Sequence, residues 1–213
     1  MKRASFYLLA AAFAGSVLAS CSHDNKFIGS WTASAPTDLT AEIPAATSAH
    51  ALMSVDFMSG PDAANTGDFY MSWLVDCNQP VTLPDSLPAL QEPYEVSVAA
   101  TAGVAGTWTR HDDDEIFLAF DMNTLEVDVD PQGVTYSENV LTGAQLPAID
   151  SLTDRTARIW ERQLSTYFRG ALQRYSKLDD FKVESDGTVL RFEIKDVAGR
   201  DRDMTFRRVL NAD

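Results

Sequence analysis

Apolar and polar residues alternate with period two along most of this chain, and that pattern restricts it to half-buried strands. In "ALMSVDFMS", Ala51, Met53, Val55 and Phe57 share one face, with Ser54 and Asp56 opposite. In "DFYMSWLVDC", Phe69, Met71, Trp73, Val75 and Cys77 share a face. Leu125, Val127 and Val129 alternate with Glu126, Asp128 and Asp130. Phe181 and Val183 precede an Asp186-Gly187 turn, after which Leu190, Phe192 and Ile194 alternate with Arg191, Glu193 and Lys195. Asp-Gly between alternating runs is a strong hairpin signal. "DPQG", residues 130–133, reads as another turn, and "DMTFRRVL" as the last strand. "EIFLAF", residues 115–120, is apolar on both faces, which predicts a strand covered on both sides. The chain is expected to be mostly β.

One segment breaks the period. Trp160, Leu164, Tyr167, Phe168, Ala171, Leu172 and Tyr175 recur at helical spacing, with Ile149 upstream. Pro147 suits a first turn, and Asp150 and Asp154 suit the positive end of a helix dipole. The spacing predicts one long amphipathic helix over 147–177, apolar face down, covering the strands. Arg155, Arg158, Arg162 and Arg169 gather on the opposite side. That face reads either as solvated surface or as a docking stripe for an acidic partner, including the protein's own acidic half. Two irregular stretches interrupt the strands. Residues 32–50 separate the first strand from the second and are expected to edge one end of the fold. Residues 78–93 carry four prolines, a spacing that excludes a central strand.

The N-terminus has its own logic. Lys2 and Arg3 precede an apolar run from Phe6 to Ala19, the length of a signal-peptide core and shorter than the roughly 20 residues of a membrane span. Leu18-Ala19-Ser20-Cys21 resembles the lipobox of bacterial lipoproteins. The resemblance implies a leader over 1–20, removed on export, and Cys21 as a lipidated first residue carrying palmitate-type chains. Several acyl chains, at about 0.8 kcal/mol per buried methylene, make a lasting anchor. Ser22, rather than Asp, after the Cys points to the outer membrane, with the periplasmic or surface side left open. Residues 21–26 read as a tether and 27–213 as one domain. With Cys21 lipidated, Cys77 has no partner for a disulfide and reads as a small buried hydrophobe.

"FIGSWTA" (27–33) and "VAGTWTR" (104–110) share the pattern apolar-x-Gly-Ser/Thr-Trp-Thr. The first copy stands where lipocalins carry Gly-x-Trp, followed by a long loop and many strands. The chain thus resembles the lipocalin-like lipoproteins of Bacteroidota. That resemblance implies an antiparallel meander β-barrel of about eight to ten strands, with the helix packed on or across it. It also implies that Gly29 permits close backbone approach, that Trp31 plugs the closed end, and that Arg207 or Arg208 on the last strand stacks on Trp31. The chain departs from the family in one respect. Lipocalins place their helix after the eighth strand, whereas strong strands follow this one.

Composition excludes several functions. The formal charge is −14, and removing Lys2 and Arg3 takes it near −16. From Ser22 to Asp150 the basic residues are Lys26 and Arg110, against twenty acids. From Ser151 on there are thirteen basic residues and eleven acids. Such an acidic body is unsuited to nucleic acid or to anionic lipid beyond the anchor. His23, His50 and His111 stand in no zinc spacing, and no nucleophile elbow, phosphate loop or dinucleotide fingerprint occurs. "HDDDE", residues 111–115, lacks the Gly of a calcium loop and reads as a solvated hairpin tip. No metal, cofactor or catalytic residue is expected. An enzyme built on paired carboxylates stays as a third reading, since acids are plentiful.

The first functional expectation is a lipid-anchored barrel binding a small apolar or amphiphilic molecule. Its candidate lining is Met53, Val55, Phe57, Met71, Trp73, Leu118 and Phe120. The same residues would equally fill a solid core. The alternative expectation is therefore a non-enzymatic interaction or assembly module of the outer membrane with a filled barrel.

Overall fold

The structure, a computed structural model, describes residues 26–62, 65–81, 94–136 and 146–210, the side chains of 81, 94 and 146–152 excepted. The leader, Cys21 and most of its tether lie outside the described residues, as do 82–93 of the proline-rich stretch and the side chains of Pro147, Ile149 and Asp150.

The described residues form ten strands: β1 Gly29–Ala33, β2 Thr37–Asp38, β3 Ser48–Ser59, β4 Thr66–Val81, β5 Tyr94–Asp112, β6 Glu115–Phe120, β7 Glu126–Tyr136, β8 Lys177–Val183, β9 Val189–Lys195 and β10 Asp201–Arg208. Between β7 and β8 lies the helix α1, Leu146–Ala171, followed by a 3-10 turn, Leu172–Tyr175. The helix therefore ends sooner than its expected bound of residue 177, because the chain tightens at Leu172 and is already strand at Lys177.

Eight strands close into an antiparallel barrel in the order β1, β3, β4, β5, β6, β8, β9, β10, with β10 pairing back onto β1. Every neighbour in that ring is also the next in chain order among the eight, so the barrel is a meander. β2 and β7 extend two of its strands. β3 pairs β1 over Ser54–Phe57 and β2 over His50–Ala51. β5 pairs β6 over Gly106–Asp112 and β7 over Val96–Gly103. One end, the base, is thus ringed by all eight strands. At the other end, the mouth, β2 and β7 are left as edges.

The alternation resolves as expected on β3 and β4. Met53 faces Trp73, Val55 faces Met71 and Phe57 faces Phe69, all buried. Three local expectations are corrected. "DPQG" does not turn the chain. It forms a bulge inside β7, where the pairing with β5 slips between Val98 and Ala100. "EIFLAF" buries Ile116 and Leu118 but leaves Phe117 40% exposed, so β6 is covered on one face. α1 lies on β7 instead of on β6. Finally, the start of the proline-rich stretch is strand: β4 runs through Pro80 to Val81. β3 pairing ends at Asn78, so Pro80 sits where one edge is already free and no ladder donor is lost.

Phe27 closes the base from within. Its ring meets Trp108 at 4.9 Å, Phe181 at 5.2 Å and Phe57 at 5.4 Å, and Arg110 lies 5.2 Å from its centroid. Asp180, with φ of 48°, bends β8 so that Phe181 reaches this cluster. Beside it Trp31 is fully buried and donates to the Phe27 carbonyl at 2.6 Å. Arg208 lies 4.2 Å over the Trp31 ring. Its guanidinium also donates to the carbonyls of Gly187 at 2.7 Å, Ile28 at 3.0 Å and Lys26. Gly29, at φ 125°, leaves room for that guanidinium: a Cβ there would fall 2.8 Å from it. Arg207 is exposed and touches none of this.

Arg208→Ala removes a cation–π contact and strands three carbonyls at once. It is expected to lower unfolding stability by about 2–4 kcal/mol, from about 0.5–2 for the ring contact and the remainder from lost hydrogen bonds. Arg207→Ala is expected to change stability by less than about 0.5 kcal/mol. Urea unfolding followed by tryptophan fluorescence measures both.

Candidate functional site

Among the described residues, the mouth is where the sheet leaves an opening to be filled. β2 and β7 stand apart there, and α1 bridges them. At the β7 side, Tyr136 and Thr156 hydroxyls meet at 3.0 Å. At the β2 side, the Tyr167 hydroxyl donates to Glu42 at 2.9 Å, and Arg174 bonds both Glu42 at 2.8 Å and the Tyr167 oxygen at 3.1 Å. The Arg174 guanidinium also sits 5.9 Å from the Tyr167 ring centroid. This latch ties the end of α1 to the loop after β2. Burial, and next the nearby Glu42 carboxylate, push the Tyr167 hydroxyl well above the usual phenol range, so it stays a proton donor.

Beneath the latch α1 sends Trp160, Leu164 and Phe168 inward, all buried. Phe168 meets Trp73 at 4.9 Å, and Tyr175 meets it at 6.1 Å. Among the described residues, a gap of about 10 Å³ between helix and strands is edged by Thr37, Leu39, Ala51, Trp73 and Phe168. That is roughly the space of one water and far below the 300–1,000 Å³ of small-molecule sites.

The candidate lining residues are therefore placed as follows. Met53, Val55, Phe57, Met71, Trp73 and Leu118 are buried within one hydrophobic core, with Trp73 meeting Phe168 of α1 and Phe57 meeting Phe27 and Phe181 at the base. Phe120 is half-buried and meets Phe69 edge-on at 5.2 Å. They come together as a filled core. Arg155, Arg158, Arg162 and Arg169 are all exposed on the outer face of α1, with no ion pair among the described residues. Cys77 is buried at the mouth end of β4, its thiol pushed up to about 12 by burial and then by Asp76, which disfavours the thiolate.

At the base, His111, Asp112 and Glu115 bring three ligand-type atoms within 4.8 Å at the β5–β6 hairpin. Lys177 occupies Glu115 at 2.5 Å and Asp179 at 2.9 Å, and His111 stands edge-on to Phe117 at 5.7 Å. Of the three, Glu115 is thus already paired with a lysine ammonium. On the outside of the barrel, a groove of about 350 Å³ runs between His50, Asp76, Ser97, Ala99 and Gly133.

Sequence reasoning missed the latch and the Phe27 plug. Tyr167 and Arg174 are seven apart, two turns of one helical face, which was a visible signal. Glu42 lies 125 residues away from Tyr167 and offered none.

These features define the protein as a closed, internally packed β-barrel with a helix across its mouth. In comparisons with known proteins, no family model, no curated protein and no solved structure matches the chain.

Tyr167→Phe deletes the hydroxyl that joins Glu42 to Arg174. It is expected to cost about 1–2 kcal/mol and to speed amide exchange at residues 39–46 and 165–175. Hydrogen-exchange mass spectrometry reads this out, with Arg169→Ala, on the exposed face, as the unchanged control.

Proposed function

We propose that this protein is a lipid-anchored, non-enzymatic barrel of the bacterial cell envelope that works through its outer surface, as a protein-interaction or assembly module. The filled interior carries this reading. Trp31, Trp108, Trp160, Phe57, Phe69 and Met71 occupy the space that a carried molecule would need. The anchor is Cys21, within the stretch that resembles a lipobox. Lys26 follows it by five residues, which reach at most about 18 Å. The base of the barrel would then sit close to the membrane and the helix-capped mouth away from it. The outer membrane is the proposed location, from Ser22.

A carrier of small apolar or amphiphilic molecules is the second reading. The latch favours it, because a helix held at one end by three polar side chains is the arrangement of a lid. Opening would uncover Trp73, Phe168 and Tyr175.

Two measurements test these readings. Cys21→Ser is expected to move the protein from the membrane fraction to the soluble one, as followed by fractionation and by the loss of acyl mass. Native mass spectrometry of the purified protein is expected to give the bare polypeptide plus anchor, and the apolar dye N-phenyl-1-naphthylamine is expected to gain no fluorescence. A bound mass released on denaturation, or dye uptake abolished by a competing fatty acid, would transfer the assignment to the carrier reading.

A further inference from the structure

The outward face of β3, β4, β5 and β7 is unusual in both charge and polarity. Leu74 is 58% exposed and Tyr70 is 41% exposed, the two standing four residues apart on β4. Leu52 on β3 is the direct partner of Leu74 and widens the strip. The Tyr70 ring does not stand free. It lies across β5, since a Cβ on Gly103 would fall 2.0 Å from its hydroxyl. Along β4 the order outward is Asp68, Tyr70, Ser72, Leu74, Asp76, an apolar centre with a carboxylate at each end. Asp56 on β3 and Glu126 and Asp128 on β7 complete the rim, and none of these carboxylates has an ion pair among the described residues. Arg110, the single Lys or Arg in these four strands, lies over Phe27 at the base.

The wall is also shaped. The bulge in β7 lifts Gly133 beside Ala99, and the groove of about 350 Å³ opens between them, with His50 and Asp76 on its far side. It continues directly from the Leu52–Leu74 row, because His50 faces Asp76 one step further along the same strands.

We propose that this wall docks a basic polypeptide segment carrying apolar anchors, an inference that rests on the outer-surface reading above. Charge selects the class of partner. Uncancelled carboxylates around an apolar strip repel nucleic acid and anionic lipid and attract Lys and Arg. The apolar centre needs a partner with aliphatic side chains between its charges. From Asp68 to Asp76 the strip spans about 27 Å, the length of an extended segment of eight residues. Partner leucines would cover Tyr70 and Leu74, and partner lysines would meet Asp68 and Asp76 at the two ends.

The test uses the full chain, expressed with its own leader and purified in a neutral detergent. The probe is a rhodamine-labelled octapeptide of alternating Lys and Leu, compared with octalysine and with the Glu-Leu counterpart, read by fluorescence anisotropy. The Lys-Leu peptide is expected to bind about tenfold more tightly than octalysine, and the Glu-Leu peptide not at all. Leu74→Ser, at an exposed position that leaves the core intact, and Asp68→Asn with Asp76→Asn should each weaken it about tenfold, with unchanged circular dichroism. Added salt should weaken it further. Equal binding by these variants, or binding lost only when residues 112–114 are neutralised, would overturn the wall as the site. So would the absence of any peptide binding. A concentration-dependent dimer that Leu74→Ser abolishes would overturn the choice of occupant, with the arginine face of a second copy taking the place of the peptide. If no peptide binds and the naphthylamine dye also stays outside, the wall assignment fails and the outer-surface reading stands. If the dye enters, that reading fails on its own.

Discussion

β3, β4 and β5 are 12, 16 and 19 residues long, whereas β8, β9 and β10 are 7, 7 and 8. A barrel with one tall side and one short side closes along its shorter height only. Every ring hydrogen bond at the base is made strand to strand, while above it β2 and β7 present edges that need covering. The chain solves this with one insertion between β7 and β8. α1 brings an apolar stripe to the gap and closes it with side chains in place of a sheet ladder. The rest of the molecule follows. The helix must be broad on its apolar face, must start against β7, and must be fixed at its far end, where Glu42, Tyr167 and Arg174 meet.

This way of closing bears on function. Eight strands enclose a space that side chains can fill, and here they fill it from both ends: Phe27 and Trp31 from the base, Trp160 and Phe168 from the mouth. Burial of each such ring contributes about 1.5–3 kcal/mol, so the packed state is strongly favoured over one holding open space. A carried molecule would have to displace α1 and break the latch before gaining any contact. A partner on the outer wall has no such barrier. Leu74 and Tyr70 already face water, at a hydration cost that binding would recover.

Legibility in the sequence followed the range of the signal. The alternation on β3, β4 and β9 depends on neighbours two residues apart and read correctly, as did the Asp186-Gly187 turn, where Gly187 adopts φ 74°. The helix and its exposed arginines were visible for the same reason. What failed depended on pairing partners. Pro80 looked incompatible with a strand until β3 was seen to stop two residues earlier. "DPQG" looked like a turn, yet its flanks pair with one and the same strand. Phe117 looked covered because its own segment is apolar, while the one long helix packs on β7. Arg207 and Arg208 were indistinguishable in sequence. The pleat sends one outward and the other over Trp31.

Charge segregation is the last consequence of the topology. The acids of β6, β8 and the turns beside β9 and β10 find lysines and arginines on the same short side: Glu115 and Asp179 on Lys177, Glu184 on Arg191, Asp196 on Arg200, Asp201 on Lys195. Such exposed pairs stabilise little, but they cancel the local field. The acids of β3, β4 and β7 come from the half of the chain that has almost no bases, and the meander keeps that half together as one wall. Much of the net negative charge therefore falls on one side of the barrel, although Glu193 also sits among Asp180, Asp201 and Asp203 on the short side. A protein needing charge only for solubility gains nothing by such a concentration, since a mixed surface repels neighbours as well at the same net charge. Acids gathered next to an exposed Leu and Tyr give that wall a direction, and a directed field is what steers a partner of opposite sign onto one face.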